Sequence, residues 1–328
     1  MTLTELRYLV ALANERHFGR AAEACFVSQP TLSVAIKKLE QELGVIMFER
    51  GSSEVTVTPL GKRIVEQAQR ALEQVMAIKE IAKQGKDPLA GPLRLGAIYT
   101  VGPYLLPQLI PRLNKHAPNM PLLIQENYTS RLVEIMKQGE LDVIVIASPI
   151  DEPGITVQPV YDEPFVVAVP RGHPWEKRKT VASADLEKEN MLLLGSGHCF
   201  RDQVLKVCPA LNRAAVAPGA MQKTLEGSSL ETIRHMVASG VGVTVLPCTS
   251  ISPGAGSGGL LRYCQFAKPV PDRRVALAWR SSFPRLQAIE TLRQAILECD
   301  LGCVKKLNSF PLQSIASDYQ QNRNNQLD

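Results

Sequence analysis

Apolar residues recur at steps of three and four through the first 43 positions and change to short runs and alternations after residue 92. Leu6, Leu9, Val10 and Ala13 predict a first helix. Thr2 with Glu5 three residues on opens it, a pair that can satisfy two orphan backbone N–H groups reciprocally. FGRAAEAC, residues 18–25, predicts a compact second helix whose small side chains let a neighbour approach closely. Ser28 caps a third, with Pro30 in its first turn and the stripe Leu32, Ile36, Leu39 and Leu43 before Gly44. Two helices joined by a tight turn in this way form a helix-turn-helix pattern.

Val45 to Val57 alternates around Gly51, Ser52 and Ser53, which predicts two short strands and a turn, a wing. Thr58 and Pro59 open a long helix to about Lys83. Its stripe of Ile64, Ala68, Ala71, Leu72, Val75, Ile78 and Ile81 has no evident intramolecular partner and would bury best against a second copy. GKDPLAGP, residues 85–92, ends the helix as a hinge. Beyond it, strands are predicted at 93–98, 121–126, 142–147, 164–170, 191–194, 242–246 and 274–280, and helices at 103–115, 130–138, 199–208, 228–238 and 284–299. The alternation argues for parallel α/β sheets in two lobes. The Asn/Gln-rich end, residues 306–328, reads as disordered.

With 45% hydrophobic residues among 328, the chain can bury a sizeable core. Its apolar runs fall far short of the roughly 20 residues of a membrane span. The N-terminus lacks the basic region and apolar core of a signal peptide, so a cytoplasmic protein with reduced thiols and no membrane partner is expected. Seven cysteines without a C-x-x-C pair argue against a zinc ribbon or a disulfide scaffold, and no cofactor or metal is expected. The net charge of +5 names no partner, and Met1 to Leu60 carries six Lys/Arg against seven Asp/Glu. A nucleic-acid reading therefore rests on where side chains point. At the start of the third helix Ser28, Gln29, Pro30, Thr31 and Ser33, with Lys37 one turn on, can reach base edges in a major groove. Arg50 on the wing is placed for the neighbouring minor groove or backbone, whereas Arg20 and Lys38 are weaker candidates that read equally as solvated surface.

Cys199 falls in the first turn of the predicted 199–208 helix, facing the positive end of its dipole, with His198 and Arg201 adjacent. All three influences favour the thiolate, the form that attacks peroxide. Nine residues of helix separate it from Cys208 by about 13.5 Å, whereas a disulfide needs Cα atoms within about 7 Å. If the pair joins, the segment must unwind. Read blandly, both are buried small apolar residues, the reading kept for Cys25, Cys248, Cys264, Cys299 and Cys303. Thr100 and Thr129 follow the first two strands beyond the hinge, at carboxyl ends where open α/β sheets bind ligands.

FGRAAEACFVSQPTLSVAIKKLEQELGVIMFERG followed by VTPLGK resembles the LysR-type transcriptional regulators, a likeness that extends over about residues 1–305. It implies an α/β protein with a winged helix-turn-helix domain (1–58), a linker and dimerisation helix (59–84) and the hinge (85–92). A two-lobed effector domain similar to periplasmic binding proteins follows (93–305), with lobe I at about 93–162 and 267–305 and lobe II at about 163–266. It further implies a regulator that is no enzyme, binds double-stranded DNA, and forms a homodimer through the linker helix and a homotetramer. The wing departs from the family, since GSSEV replaces a more basic tip. TVGPYLLPQLIPRL (100–113), GHCFRDQVLKVC (197–208) and SSLETIRHMVASG (228–240) are similar to the family's peroxide-sensing members. That likeness implies sulfenic acid at Cys199, resolution by Cys208, altered tetramer geometry, RNA polymerase recruitment and reversal by a thiol reductant such as glutaredoxin or thioredoxin. It adds His198, Asp202, Arg273 and Arg274 to Thr100, Thr129 and Arg201 as pocket or switch residues. Two rivals are a LysR-type regulator sensing a small organic ligand in its cleft, and a thiol peroxidase. The second leaves the first 60 residues without a purpose and lacks a P-x-x-x-T-x-x-C stretch.

Overall fold

In a computed structural model of the chain, the reciprocal Thr2–Glu5 cap closes the start of helix α1 (Leu3–Glu15). The structure describes residues 1–50, 55–84, 87–150, 152–209, 224–251 and 259–307. It forms two compact units, Met1–Asp87 with Ser282–Pro284, and Pro88–Ser281 with Arg285–Asp328. In the first, His17 caps α2 (Phe18–Ala24) by accepting the N–H groups of Gly19 and Arg20, and Ser28 caps α3 (Gln29–Leu43). Gly44, at φ 67°, takes the left-handed conformation that ends α3 and that a side chain would resist. Leu9, Leu12, Ala21, Leu32, Ile36 and Leu39 form the shared core. The antiparallel strands β1 (Phe48–Arg50) and β2 (Val55–Val57) follow, then α4 (Pro59–Gln84). The first half of α4 does have an intramolecular partner, contrary to the sequence reading. Ile64, Ala68, Ala71 and Leu72 pack on the helix-turn-helix core beside α1. Further along, Met76 and Ile78 are exposed.

The second unit begins with β3 (Leu93–Ile98), α5 (Gly102–His116), β4 (Leu122–Asn127), α6 (Thr129–Lys137) and β5 (Val143–Ser148), with β3 parallel to both β4 and β5. Next come β6 (Ile155–Pro170), β7 (Thr180–Val181), β8 (Met191–Leu194), α7 (Cys199–Val207) and β9 (Thr224–Gly227). α8 (Leu230–Ala238), β10 (Thr244–Pro247) and the 3-10 turn Cys248–Ser250 lead to β11 (Leu261–Phe266), β12 (Asp272–Arg280), α9 (Leu286–Leu297) and β13 (Lys305–Lys306). The main sheet runs β4-β3-β5-β12-β6-β11-β7, with β10 and β13 also on β6.

The sheet is mixed, which corrects the all-parallel expectation. β12 returns antiparallel between β5 and β6, and β10 and β11 are antiparallel to β6. The expected strand 164–170 is only the second half of the 16-residue β6. Pro159 and Pro164 mask the first half in the sequence, because proline cannot donate to a ladder. Pro159 sits at the register shift opposite Val275/Ala276 and Pro164 where β6 passes from β12 to its other neighbours, so neither interrupts a regular ladder. β6 thereby serves two cores, one between α5, α9 and the β3–β5 sheet, the other around Phe165, Leu192, Phe200 and Ile233. Of the expected disordered end, 308–328 lie outside the described residues, whereas Lys306 is paired in β13 and Leu307 donates its N–H to Val160 O at 2.8 Å. No described helix is long and apolar enough to cross a membrane.

Candidate functional site

The ends of β3 and β4 lie side by side, with Ile98 in register with Asn127, so the two following residues of each chain segment meet at one sheet edge. Tyr99 and Tyr128 are in edge contact at 5.4 Å. Thr100 and Thr129 come next, which places both predicted hydroxyls at this edge. His198, the residue before α7, packs its ring against both tyrosines, 5.9 Å from Tyr99 and 4.8 Å from Tyr128. Gly197, just before His198, stands at φ 94°, a backbone conformation that a side chain would resist. Cys199 follows, half-buried, as the first residue of α7. The Thr129 Oγ1 is buried without a hydrogen-bond partner, as is the Gln203 Oε1 one helical turn beyond Cys199. Buried polar atoms are nearly always satisfied, so orphaned oxygens on the sheet edge that His198 packs against and on α7 are suited to a small polar ligand.

Behind the edge runs a chain of buried polar contacts. Arg273, fully buried, donates Nε to Glu163 Oε2 at 2.7 Å, Nη1 to Thr100 Oγ1 at 2.8 Å and Nη2 to Thr100 O at 2.8 Å. Its guanidinium also lies 5.1 Å from the centre of the Phe200 ring. Glu163 in turn accepts the Thr249 N–H at 3.0 Å and the Thr249 hydroxyl. Arg273 therefore fixes Thr100 while being itself held by Glu163. Sequence reasoning missed Tyr99, Tyr128, Glu163, Gln203 and Thr249. Glu163 and Thr249 lie 110 and 24 residues from Arg273, a distance that pattern alone does not bridge.

The other expected pocket residues point elsewhere. Arg274 alternates to the opposite face of β12 and pairs outward with Asp162 at 2.7 Å. Asp202 is exposed on α7. Arg201 turns to the Leu194 carbonyl at 2.8 Å and to Glu226 at 2.6 Å. The expected electrostatic support for a Cys199 thiolate is thus thinner than the sequence suggests. Glu226 offsets the Arg201 charge, and burial lowers the His198 pKa, so the ring favours its neutral form. The helix start remains.

Cys208 caps the far end of α7 and is buried, with Cys199 and Cys208 both outside any disulfide. The bland reading of two other cysteines is overturned: Cys248 and Cys303 form a disulfide, with Cα atoms 6.2 Å apart across a sequence separation of 55. No spacing rule pairs them, because β11, β12 and α9 intervene. Cys264 and Cys299 are buried, and burial raises both thiol pKa values.

In the first unit Gln29, Pro30, Thr31 and Lys37 are exposed and Ser33 is half-buried along α3. Ser28 and Thr31 also bond one another at 2.8 Å, so both carry part of the cap. Arg50 ends β1; its side chain and residues 51–54 lie outside the described residues. Arg20 is tied to Glu15 at 3.3 Å, and Lys38 lies 3.7 Å from Glu5.

Residues 3–62 match the model of the bacterial regulatory helix-turn-helix proteins of the lysR family, and residues 86–299 that of the LysR substrate binding domain. The DNA-binding transcriptional dual regulator OxyR of Escherichia coli K12 is 41% identical over 297 residues, 90% of this chain and 95% of the relative. A solved full-length OxyR of Pseudomonas aeruginosa carrying a cysteine-to-aspartate substitution is 52% identical. It covers 95% of this chain and 99% of its own at a TM-score of 0.75. A hydrogen-peroxide-bound cysteine variant of Corynebacterium glutamicum OxyR is 33% identical, covering 90% of this chain and 91% of its own at a TM-score of 0.60.

Proposed function

The chain belongs to the LysR family of bacterial helix-turn-helix regulators, and from that footing we propose that it senses hydrogen peroxide by oxidation of Cys199 and disulfide formation with Cys208. It is a DNA-binding regulator of the oxidative stress response, acting in the cytoplasm. The carrying observation is the placement of Cys199 and Cys208 at opposite ends of one nine-residue helix, with the orphaned Thr129 hydroxyl on the adjoining sheet edge. Thr100 and Thr129, with His198, orient the peroxide. The Cys199 thiolate attacks one oxygen, water leaves, and the resulting sulfenic acid condenses with the Cys208 thiol to release a second water. Arg273 keeps Thr100 in place. Arg201, Asp202 and Arg274 act through the rearrangement rather than by touching peroxide.

Because α7 cannot hold both sulfurs within bonding reach, the disulfide unwinds it. The change alters contacts between subunits. Gln29, Pro30, Thr31, Ser33 and Lys37, framed by Ser28 and the wing's Arg50, read the operator. The exposed Met76 and Ile78 of α4 support pairing of two copies through that helix, and dimers assemble further into a tetramer. RNA polymerase is recruited in the oxidised form, and a glutaredoxin- or thioredoxin-type reductant restores the thiols.

Mass spectrometry of peptides from the full chain, before and after a small dose of hydrogen peroxide, tests the reading. A 199–208 crosslink that appears with peroxide is expected. Cys199→Ser is expected to abolish the response while retaining DNA binding. Absence of that crosslink overturns the two-cysteine mechanism, and a response surviving Cys199→Ser favours a ligand-sensing regulator.

A further inference from the structure

We propose that Cys248–Cys303 is a second redox site, one that takes a dithiol reductant and sets how fast Cys199 reacts with peroxide. The proposal rests on the peroxide reading above. One end of this bond adjoins a residue that bonds Glu163, and the other leads into a strand paired with the residue next to Glu163. Cys248 opens the 3-10 turn whose next residue, Thr249, donates its N–H and its hydroxyl to Glu163 Oε1. Cys303 lies two residues before β13, which pairs Lys305 with Asp162, the neighbour of Glu163 on β6. The disulfide therefore ties the turn whose Thr249 bonds Glu163 to the strand β13 that pairs with Asp162, its neighbour on β6. The Glu163 carboxylate holds Arg273, and Arg273 holds the hydroxyl and carbonyl of Thr100 at the peroxide edge. From the bond to Thr100, each connection is a sequence neighbour, a ladder pair or a hydrogen bond.

The two residues differ in access: Cys248 is buried and Cys303 is exposed, so the Cys303 side is the one a reductant reaches first. A reductant thiolate can thus attack the Cys303 sulfur. The S–S bond breaks, Cys248 leaves and takes a proton, and the second thiol of the reductant resolves the mixed disulfide to free Cys303 as a thiol. The protein gains two electrons and two protons, and the dithiol becomes a disulfide. In the reverse direction the Cys303 thiolate attacks hydrogen peroxide and releases water, and the sulfenic acid condenses with the Cys248 thiol to release a second water. β13 is only two residues long and is otherwise held to β6 by its short ladder and the Leu307 N–H bond to Val160 O, so opening the bond removes the one covalent tie between this strand and the turn that carries Thr249. An intact bond accordingly keeps Thr100 preorganised and Cys199 fast.

The test uses the full chain equilibrated in reduced/oxidised dithiothreitol buffers of graded potential, alkylated and mapped by mass spectrometry, so that the 199–208 and 248–303 crosslinks are read in one digest. A 248–303 crosslink that falls as the buffer becomes more reducing is expected. Its absence at every potential overturns the proposal. In a Cys208→Ser background, the rate of dimedone capture at Cys199 after a peroxide pulse is then compared with and without Cys303→Ser. Slowing of threefold or more supports the coupling and a smaller change refutes it. Cys208→Ser protein reduced at 248–303 and freed of reductant before the pulse serves the same comparison without the second substitution. Were Cys199 unreactive in every sample, the peroxide reading would fall and the coupling with it. The 248–303 titration would still report whether that bond responds to redox poise.

Discussion

Helices α3 and α7 both offer polar residues at their first turn, but they are built to opposite ends. α3 has 15 residues, a Ser28 cap, a left-handed Gly44 stop and a buried stripe of Leu32, Ile36 and Leu39. α7 has nine residues, no side-chain cap at His198, and only Phe200 and Val204 buried. Helices shorter than about 12 residues are marginal without tertiary packing, so α7 persists through packing, with Phe200 and Val204 buried, Leu205 and Val207 against the same core and Arg201 bonded to Leu194 O and Glu226. Under the proposed function the difference fits the two tasks: α3 reads DNA and stays fixed, whereas α7 is a helix cheap enough to lose. Exposing Phe200 and Val204 costs about 3–6 kcal/mol in lost burial. That corresponds to roughly 65–130 mV of reduction potential for a two-electron couple, a cost that peroxide can overcome.

The contrast is broken most severely from below, by removing the anchor on which the trigger rests. Glu163→Ala leaves the Arg273 guanidinium buried without its counter-charge, and the expected loss is about 3–5 kcal/mol. A urea midpoint should show it, with oxidation of Cys199 slowed as Thr100 loosens. Opening the Cys248–Cys303 bond by Cys303→Ser removes a 55-residue loop constraint, and about 2–4 kcal/mol is expected to disappear. Reduction of the wild-type protein should reproduce the same melting shift. Val204→Ala weakens the hold on α7 by about 1–2 kcal/mol and should lower the Cys199–Cys208 potential by roughly 20–40 mV. A comparable trim in α3, Ile36→Val, should weaken operator binding or stability while leaving that potential unmoved. Ser28→Ala should cost about 1 kcal/mol at the α3 cap, measurable as reduced thermal stability of the DNA-binding unit.

The smallest expected effect is acid sensitivity through His198. Its folded pKa is depressed, chiefly by burial, so the unfolded chain binds the proton more readily. The neutral ring's contribution to stability is complete above the ordinary histidine value of about 6.5 and declines as pH falls from there through the lowered value. Denaturation measured between about pH 7 and pH 5 should show this slope, and His198→Gln should flatten it.

The first three helices were largely legible in the sequence, because their signals are local. Thr2 with Glu5, Ser28 with Pro30, and Gly44 each act within one turn. The trigger was half legible. Cys199 and Cys208 lie nine positions apart and declare their own conflict of geometry, but the residues that hold Thr100 come from β6, β12 and the turn at Thr249. β6 escaped full recognition because Pro159 and Pro164 resemble breaks, and β11 because Arg262, Tyr263 and Gln265 dilute its apolar alternation. The pairing of Cys248 with Cys303 was invisible for the same reason as the Glu163–Arg273 pair: each depends on the order of strands in a mixed sheet, which alternation of helices and strands does not fix.

The central claim, that peroxide acts by dissolving α7 while α3 stands, is most directly tested by amide hydrogen exchange on the full chain, reduced and after peroxide. Residues 199–207 are expected to lose protection once the 199–208 crosslink forms, and residues 29–43 to exchange as before. Retained protection across 199–207 in protein carrying that crosslink would contradict it.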